Sequence, residues 1–402
     1  MDYNTYRRTL RDGLAGSEVP FSADELDRRE EKVRQAMAAR GLDVLLLTAP
    51  ADIYYLTGYN TFEVSVHACL ALGPGYTALQ VPSIETGPAV VCTRVSDLMG
   101  YRWEDSGGPL APLADLIAGS REIGYDPWQP GLRAGLLDGL RQARPECRFH
   151  DAADLLPPIR RVKSTAELEC LRESARLTQA GLDAAVAVVR TGVSDSTIAA
   201  EGARAMLAGG SEFMSMQPIV TTGVRSSVIH ANHNGRTVAA DDPVFMEFGA
   251  SVRRYTAPQM RTRVCGTPDA DMERVADTCR AIYTALVENM QPGISFDAAA
   301  RAAEAALVPL EREAFFSGVF GYTVGAGFPP SWVEGTGFIA RDQDVLFREN
   351  MVFHLPLCLR LPGRWGIGMS ETVRVCASGA AEPLTHNDWS LVSGNPSSSD
   401  FA

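Results

Sequence analysis

The segment LLPPIRRVKS, residues 155–164, contains two consecutive prolines and divides the chain into parts with different patterns. Proline lacks a backbone N–H and restricts the residue before it, so a pair of prolines interrupts regular structure. Before this segment, helical and strand-like runs alternate. After it, long helical runs are separated from groups of strand-like runs. We therefore predict two domains, residues 1–158 and 159–390, followed by a disordered polar tail over 391–402.

The first part has the pattern of a small α/β domain. Residues 22–41 predict an amphipathic helix that has Ser22 as its N-cap and ends at Gly41. Buried strands are predicted for the apolar runs LDVLLLTAP, HACLALG and GPAVVCTRV, and a short strand for REIGYD. Alternation of this kind is typical of α/β architecture.

The second part has the pattern of an α+β domain. Helices are predicted from residue 165 to about 190, for SDSTIAAEGARAMLAGG, and over 268–291 and 296–315. Strands are predicted for QPIVTTG, DPVFMEFGA and RRYTAP, and near 318–327, 351–359 and 370–376. Helices grouped apart from strands favour α+β.

Charge and composition exclude several classes of function. The 402 residues carry 37 Lys and Arg against 49 Asp and Glu, a net charge of -12, without a basic run of five. Nucleic acid is therefore not an expected partner, because phosphate binding needs clustered cations. The chain shows no signal peptide and no apolar stretch of ~20 residues, so no membrane association is expected. Eight scattered cysteines without a CxxC pair predict reduced thiols in the cytoplasm.

Three polar residues interrupt apolar strands of the second part. They are Glu247 in PVFMEFGA, His354 in MVFHLPL and Glu371 in GIGMSETVRV. An unpaired buried carboxylate costs several kcal/mol, so such residues need a reason to be there. We predict that the three share a polar pocket. The alternative is that each is a core polar group satisfied by a backbone or arginine partner.

Several motifs resemble those of a known family. RRVKSTAELECLRESARLT and the later strands resemble the pita-bread domain of creatinases, Xaa-Pro aminopeptidases and methionine aminopeptidases. YLTGY, residues 55–59, resembles the signature of the creatinase and prolidase N-terminal domain. The resemblance runs from about residue 22 to 385. It implies an α+β pita-bread catalytic domain preceded by a smaller α/β creatinase-type domain.

The peptidases of that family bind two metal ions through five side chains, and the resemblance implies where those positions fall here. They fall on Glu247, Pro258, Val324, Pro356 and Glu371. Proline and valine have no side-chain donor for a metal ion. The resemblance therefore implies a site without metal and without another cofactor.

A closer resemblance is to the ectoine hydrolases and to creatinase. The patterns RRYTAPQMRT, GYTVGAGFPPSW and MVFH are similar to those of ectoine hydrolases. This implies that Glu247 forms a covalent intermediate, while His230, seventeen residues earlier, transfers protons. Glu371 would orient that histidine or hold a substrate cation, and His354 is a second candidate for proton transfer.

Further residues are expected to bind a small-molecule substrate. Tyr255, Tyr322 and Trp332 would shape the pocket, and Arg225 would bind a substrate carboxylate in bidentate fashion. The resemblance also implies a homodimer in which the N-terminal domain of one chain covers the site of the other. Phe62 and Glu63 would lie at that contact.

The expected function is a metal-independent hydrolase of a non-peptide C–N bond. Its substrate would be a small polar metabolite, an ectoine-like cyclic amidine or a creatine-like guanidine. Three alternatives stay open at this point: a lyase or cyclase on the same scaffold, a metal-dependent enzyme of the Xaa-Pro aminopeptidase type, and a binding module without catalysis.

Overall fold

The computed structural model describes residues 1–129 and 132–392 and divides into two compact units, Met1–Arg160 and a second that begins at Arg161. The sequence-based boundary after residue 158 lies two residues earlier. Residues 393–402 of the predicted disordered tail lie outside the described residues. Within the described part of that segment, Leu391 is buried and Val392 forms a bridge with Val264.

The first unit is built on a six-stranded mixed sheet with the order β4-β3-β2-β1-β5-β6. The strands are β1 (Val44–Leu47), β2 (Cys69–Gly73), β3 (Tyr76–Pro82), β4 (Asp97–Tyr101), β5 (Glu122–Tyr125) and β6 (Arg148–Asp151). β1 pairs antiparallel with β2 and parallel with β5. The unit has the α/β character predicted from the alternating runs.

The helices that accompany this sheet in the described ranges 1–129 and 132–161 are α1 (Tyr3–Leu14), α2 (Ala23–Ala39), α3 (Pro50–Thr57), α4 (Thr86–Val91), α5 (Leu110–Leu116), α6 (Ala134–Ala143) and α7 (Pro157–Arg161). As predicted, the Ser22 side chain caps α2 by accepting a hydrogen bond from the Glu25 N–H. The prediction of a strand for GPAVVCTRV is wrong, because this run forms α4 and a turn. A short apolar run fits a buried helix as well as a strand, and Pro88 is compatible with the first helical turn.

The strands of the second unit, as far as residue 392, are β7 (Ile219–Thr222), β8 (Pro243–Phe248), β9 (Ser251–Val252), β10 (Tyr255–Thr256), β11 (Gln259–Val264), β12 (Gly321–Phe328), β13 (Ser331–Ile339), β14 (Val352–Leu361), β15 (Trp365–Arg374) and β16 (Glu382–Pro383). One sheet has the order β16-β15-β14-β12-β10-β9, with β13 paired to β12. A three-stranded sheet has the order β11-β8-β7. The strands predicted from the sequence do not include β9, β11, β13 and β16.

The α-helices described in this unit are α8 (Thr165–Ala187), α9 (Asp195–Ala208), α10 (Ala270–Asn289) and α11 (Phe296–Leu307). α8 begins with a capping box between Ser164 and Glu167. α10 packs against β14 and β15, whereas α8 packs against β8 to β11. Within the described residues, no helix is long and apolar enough to cross a membrane.

The β14–β15 hairpin has two chemically different faces. Residues that pair directly across an antiparallel ladder project from the same face, and successive residues alternate between faces. Leu355, Leu357 and Leu359 lie on the face that forms the main hydrophobic core with α10 and α11. The opposite face therefore carries His354, Pro356, Cys358 and Arg360 from β14, and Thr372, Ser370, Gly368 and Gly366 from β15.

The packing of α9 on β8 gives a first prediction. A Cβ atom at Gly202 would overlap the ring of Phe248, whereas a Cβ atom at Gly13 in α1 would meet nothing within 4 Å. Replacement of a helical glycine by alanine ordinarily stabilises a helix by ~1 kcal/mol. Overpacking at Gly202 should outweigh this gain, so Gly202→Ala is expected to lower the unfolding free energy by ~1–3 kcal/mol.

Thermal unfolding of the full chain measures the change, with Gly13→Ala as the control that should not destabilise. If Gly202→Ala unfolded at the same temperature as the unsubstituted chain or higher, the close packing of α9 on β8 would be wrong.

Candidate functional site

Glu247 is a buried carboxylate that lacks a hydrogen-bond partner in the described part of the chain. It lies on β8 opposite Met260 and is 8% exposed. Phe245, two residues earlier on the same face, packs with Met260 and Cys358. Burial raises the pKa of Glu247 to about 7, and the nearby Arg360 guanidinium opposes this rise. The group is thus poorly solvated and changes charge near neutral pH.

His354 links a chain of hydrogen bonds on the polar face of β14. Its Nδ1 lies 2.8 Å from the Tyr322 hydroxyl, and its Nε2 lies 2.7 Å from Ser370 Oγ. Trp332 Nε1–H donates to the Tyr322 oxygen at 3.0 Å. Met260 N–H donates to Ser370 Oγ at 2.6 Å. The register that places Tyr322 opposite His354 on β12 and β14 brings these groups together.

Burial determines the protonation states of the groups joined by these hydrogen bonds. It lowers the pKa of His354 to about 3, so the imidazole is neutral at physiological pH. It also raises the pKa of Tyr322 well above 10, and the negative charge of Glu247 adds to the rise. Tyr322 is therefore a neutral hydroxyl whose surroundings include Glu247. Neutral His354 can order this hydroxyl but does not act as a cationic acid.

The prediction that Glu371 shares the pocket with Glu247 is wrong, and the alternative of a satisfied core polar group describes it. Glu371 lies opposite Leu355, on the core face of β15. Its carboxylate accepts hydrogen bonds from Gln259 Nε2 at 3.0 Å, from the Thr385 hydroxyl and from the Asn387 N–H. Burial raises its pKa to about 7, and these donors oppose the rise. Its three donors give Glu371 a structural role.

The five positions at which the resemblance implies metal ligands do not form a metal site. Pro258 precedes β11 and Val324 is a buried residue of β12. Side chains from β14 and β15 that bind one ion must project from the same face of the hairpin. Pro356 pairs with Ser370, so Glu371 projects from the opposite face to Pro356. Glu247 is then the one strong oxygen ligand in this set. In the described ranges, no three His, Cys, Asp or Glu side chains are grouped to hold a metal ion.

Two of the predicted substrate-binding aromatic residues have other partners. Tyr255 is completely buried, and its hydroxyl donates to Glu167 Oε1 of the α8 capping box at 2.9 Å. Tyr255 was predicted to line the substrate pocket. In the structure its hydroxyl instead joins β10 to α8. Trp332 is also buried, and its indole N–H donates a hydrogen bond to the Tyr322 hydroxyl oxygen. Tyr322 is partly exposed and remains available to a ligand.

His230 and Arg225 lie on the segment between β7 and β8. His230 is exposed, in a turn, with φ of 56°. Arg225 lies in a 3₁₀ turn, Gly223–Ser227, and its Nη2 donates to the Asn232 carbonyl at 2.8 Å. Neither side chain forms a hydrogen bond with Glu247 or His354 in the described structure, and their predicted catalytic and substrate-binding roles stay predictions.

Phe62 and Glu63 belong to the first unit. Phe62 is 77% exposed. Glu63 accepts hydrogen bonds from the backbone N–H and the hydroxyl of Ser65, and these bonds lower its pKa. Their role at the site of a second chain stays a prediction.

Two residues of the site were missed in the sequence, Ser370 and Arg360. Both follow from alternation along the two strands. HLPLCLR places His354, Pro356, Cys358 and Arg360 on one face of β14, and Ser370 pairs with Pro356 on the same face. The interpretation singled out charged residues one at a time and did not follow this alternation through the hairpin.

Comparison with known proteins adds independent findings. Residues 169–377 match the model of metallopeptidase family M24, and residues 29–162 match that of the creatinase/prolidase N-terminal domain. The chain is 25% identical to the ectoine hydrolase of Halomonas elongata, over 90% of this chain and 95% of that protein. It is 24% identical to an Xaa-Pro dipeptidase of Lactobacillus delbrueckii subsp. lactis, over 90% and 97% of the two chains. The solved prolidase of Pyrococcus horikoshii OT3 superposes with a TM-score of 0.80 at 19% identity, covering 91% of this chain and all of that one.

The isolation of Glu247 predicts a change in stability with pH. Its pKa is raised on folding, so the folded chain holds this proton more tightly and its stability falls as pH rises from about 4.5 to about 7. Glu247→Gln removes the buried charge and should raise the unfolding free energy on the order of 2 kcal/mol at pH 8, and much less at pH 4.5. Denaturant unfolding at both pH values measures this difference.

Glu371→Gln is the matched control, because its amide nitrogen would meet groups that donate to the carboxylate. The pKa of Glu371 is also raised to about 7, so this variant loses the same pH-dependent cost, but it also loses an acceptor for these donors and should gain less stability at pH 8 than Glu247→Gln. Equal effects of the two substitutions at pH 8 would contradict the distinction between the two carboxylates.

Proposed function

The chain belongs to metallopeptidase family M24, and from that membership we propose that it is a hydrolase of a non-peptide C–N bond in a small polar metabolite. The predicted fold, a creatinase-type α/β domain followed by an α+β pita-bread domain, is confirmed by the two family matches and by the prolidase structure. The similarity to an ectoine hydrolase supports a cyclic amidine as substrate, ahead of a guanidine.

The observation that carries the proposal is the buried carboxylate of Glu247, which has no hydrogen-bond donor in the described chain. A carboxylate that is poorly solvated is a stronger nucleophile than one in water. Glu247 attacks the electrophilic amidine or guanidine carbon and forms a bond from its oxygen to that carbon. The C–N bond then breaks as the leaving nitrogen gains a proton. Water next attacks the carbon, the bond from that carbon to the Glu247 oxygen breaks, and the proton that water loses returns to the donor.

The Tyr322–His354–Ser370 chain supplies a hydrogen-bond donor beside Glu247. Ser370 Oγ accepts from Met260 N–H, and in the His354 tautomer that we infer, with its hydrogen on Nδ1, the Ser370 hydroxyl donates to His354 Nε2. His354 Nδ1–H then donates to the Tyr322 oxygen, which leaves the Tyr322 hydroxyl hydrogen for the substrate. A neutral hydroxyl held in this way donates to the nitrogen that leaves and excludes alternative orientations. His230, which is exposed, is the candidate for exchanging protons with solvent.

A second candidate function is cleavage of Xaa-Pro peptides, favoured by the similarity to an Xaa-Pro dipeptidase. The side chains at the metal positions speak against it, because Pro258, Val324 and Pro356 have no donor for a metal ion, and Glu371 projects from the opposite face of the hairpin to Pro356. Elemental analysis of the purified chain, with activity measured before and after chelation, separates the two candidates. Bound divalent metal that is needed for activity would favour the peptidase.

Hydrolysis is tested with cyclic amidines and guanidines in water labelled with ¹⁸O. We expect one labelled oxygen in the product after many turnovers, and loss of turnover in Glu247→Gln with the fold intact by circular dichroism. Product without label would support a lyase or cyclase instead. Substantial turnover by Glu247→Gln would remove Glu247 as the nucleophile.

The pH dependence of the rate follows from the same groups. Because Glu247 must be ionised, kcat/KM should rise about tenfold per pH unit below about 7 and level off above it. His354 is already neutral throughout this range, so His354→Asn should lower the rate without moving the midpoint. Tyr322→Phe should lower kcat by ~10²–10³-fold. A flat profile between pH 5 and 8, or an unchanged kcat in Tyr322→Phe, would contradict these roles.

A further inference from the structure

Arg360 is a guanidinium without a counter-ion in the described structure. It is half-buried near the end of β14, and its buried Nε has no hydrogen-bond partner. Its backbone carbonyl accepts a hydrogen bond from the Phe315 N–H at 2.7 Å, and its N–H donates to the Phe315 carbonyl at 3.2 Å. Gly366 lies opposite, where a Cβ atom would come within 3.0 Å of Arg360 Cγ. The chain thus holds this residue in place without neutralising its charge.

Arg360 and Glu247 lie on two strands whose faces are in contact. Cys358, two residues before Arg360, packs with Phe245, two residues before Glu247. This contact lies between the two charged residues, because Glu247 is opposite Met260, whose N–H donates to Ser370, the partner of Pro356. Both charged groups act electrostatically on the Cys358 thiol, and Arg360 acts on Glu247 itself. The two opposite charges nevertheless form neither an ion pair within 4.0 Å nor a hydrogen bond in the described ranges. A buried carboxylate and a half-buried guanidinium that are left apart in this way suit a ligand that carries both charges.

We propose that Arg360 binds the carboxylate of a zwitterionic substrate whose cationic carbon–nitrogen group lies against Glu247. This rests on the proposed function and narrows the substrate to amidines or guanidines that carry a carboxylate. A guanidinium donates two parallel hydrogen bonds to a carboxylate and so sets the orientation of the ligand. The ligand cation then meets the nucleophile, and its anion lies toward the end of β14.

Arg225 was the sequence-based candidate for this contact. Its 3₁₀ turn packs beside Gly366, since the Ser226 hydroxyl accepts a hydrogen bond from the Gly366 N–H. However, Arg225 Nη2 already donates to the Asn232 carbonyl of its own loop. Arg360 has no such donor bond in the described chain, so it is the one available for bidentate binding.

Pairs of ligands that differ by the carboxylate alone test the assignment. One pair is 2-methyl-1,4,5,6-tetrahydropyrimidine-4-carboxylate and the same ring without the carboxylate. A second pair is creatine and N,N-dimethylguanidine. Binding is measured by calorimetry on the full-length Glu247→Gln chain, in which turnover does not interfere. For at least one pair, we expect the carboxylate member to bind ~10–100-fold more tightly.

Arg360→Met in the same background should abolish this preference while the affinity for the ligand without carboxylate changes little. Arg360→Lys should retain part of it, and Arg225→Met, the matched control, should retain most of it. A merely structural arginine would instead lower the affinity for both members equally. Three results would overturn the assignment: an equal loss of affinity for both ligands of a pair in Arg360→Met, a preference for the carboxylate ligand that depends on Arg225 alone, or no such preference in either pair.

The proposed hydrolysis is judged separately, by turnover in labelled water. Carboxylate-dependent binding through Arg360 without turnover would therefore leave the binding inference standing and reject the reaction.

Discussion

The alternation of side chains along the β14–β15 hairpin is the constraint on which the site depends. One face must be apolar, because it packs on α10 in the main core of the second unit. All polar side chains that reach the site from this hairpin must therefore lie at every second position. This places His354, Cys358 and Arg360 together with Ser370, and it directs Glu371 to the other side.

The isolation of Glu247 is the second constraint, and it concerns energy rather than geometry. Leaving a carboxylate buried without a donor costs free energy that another residue could have removed. Glu371 shows how this chain treats a structural carboxylate, since three donors surround it. The contrast within one domain supports a functional reason for leaving Glu247 unpaired.

Much of the fold was predictable from local patterns, because caps and long periodic helices leave clear signals. Ser22 and the helix after Ser164 are examples. GPAVVCTRV was not predictable, since a short apolar run is ambiguous. In the site, Glu247 was recognisable as a polar interruption. Placing Glu371 in the pocket failed because a one-residue shift along a strand reverses the face, and pairing register is not visible in a single sequence.

The balance of charge at the site relates Glu247 and Arg360 to the metal sites of the family. In a dinuclear site, cations balance several carboxylates, whereas here one carboxylate is left and the positive charge that acts on it is that of Arg360. A substrate carboxylate on Arg360 would neutralise that charge, and the substrate's own amidinium would replace it beside Glu247. A cation in that position favours the ionised form of a carboxyl group whose pKa is about 7. The substrate would thereby hold Glu247 in the ionised form that attacks it.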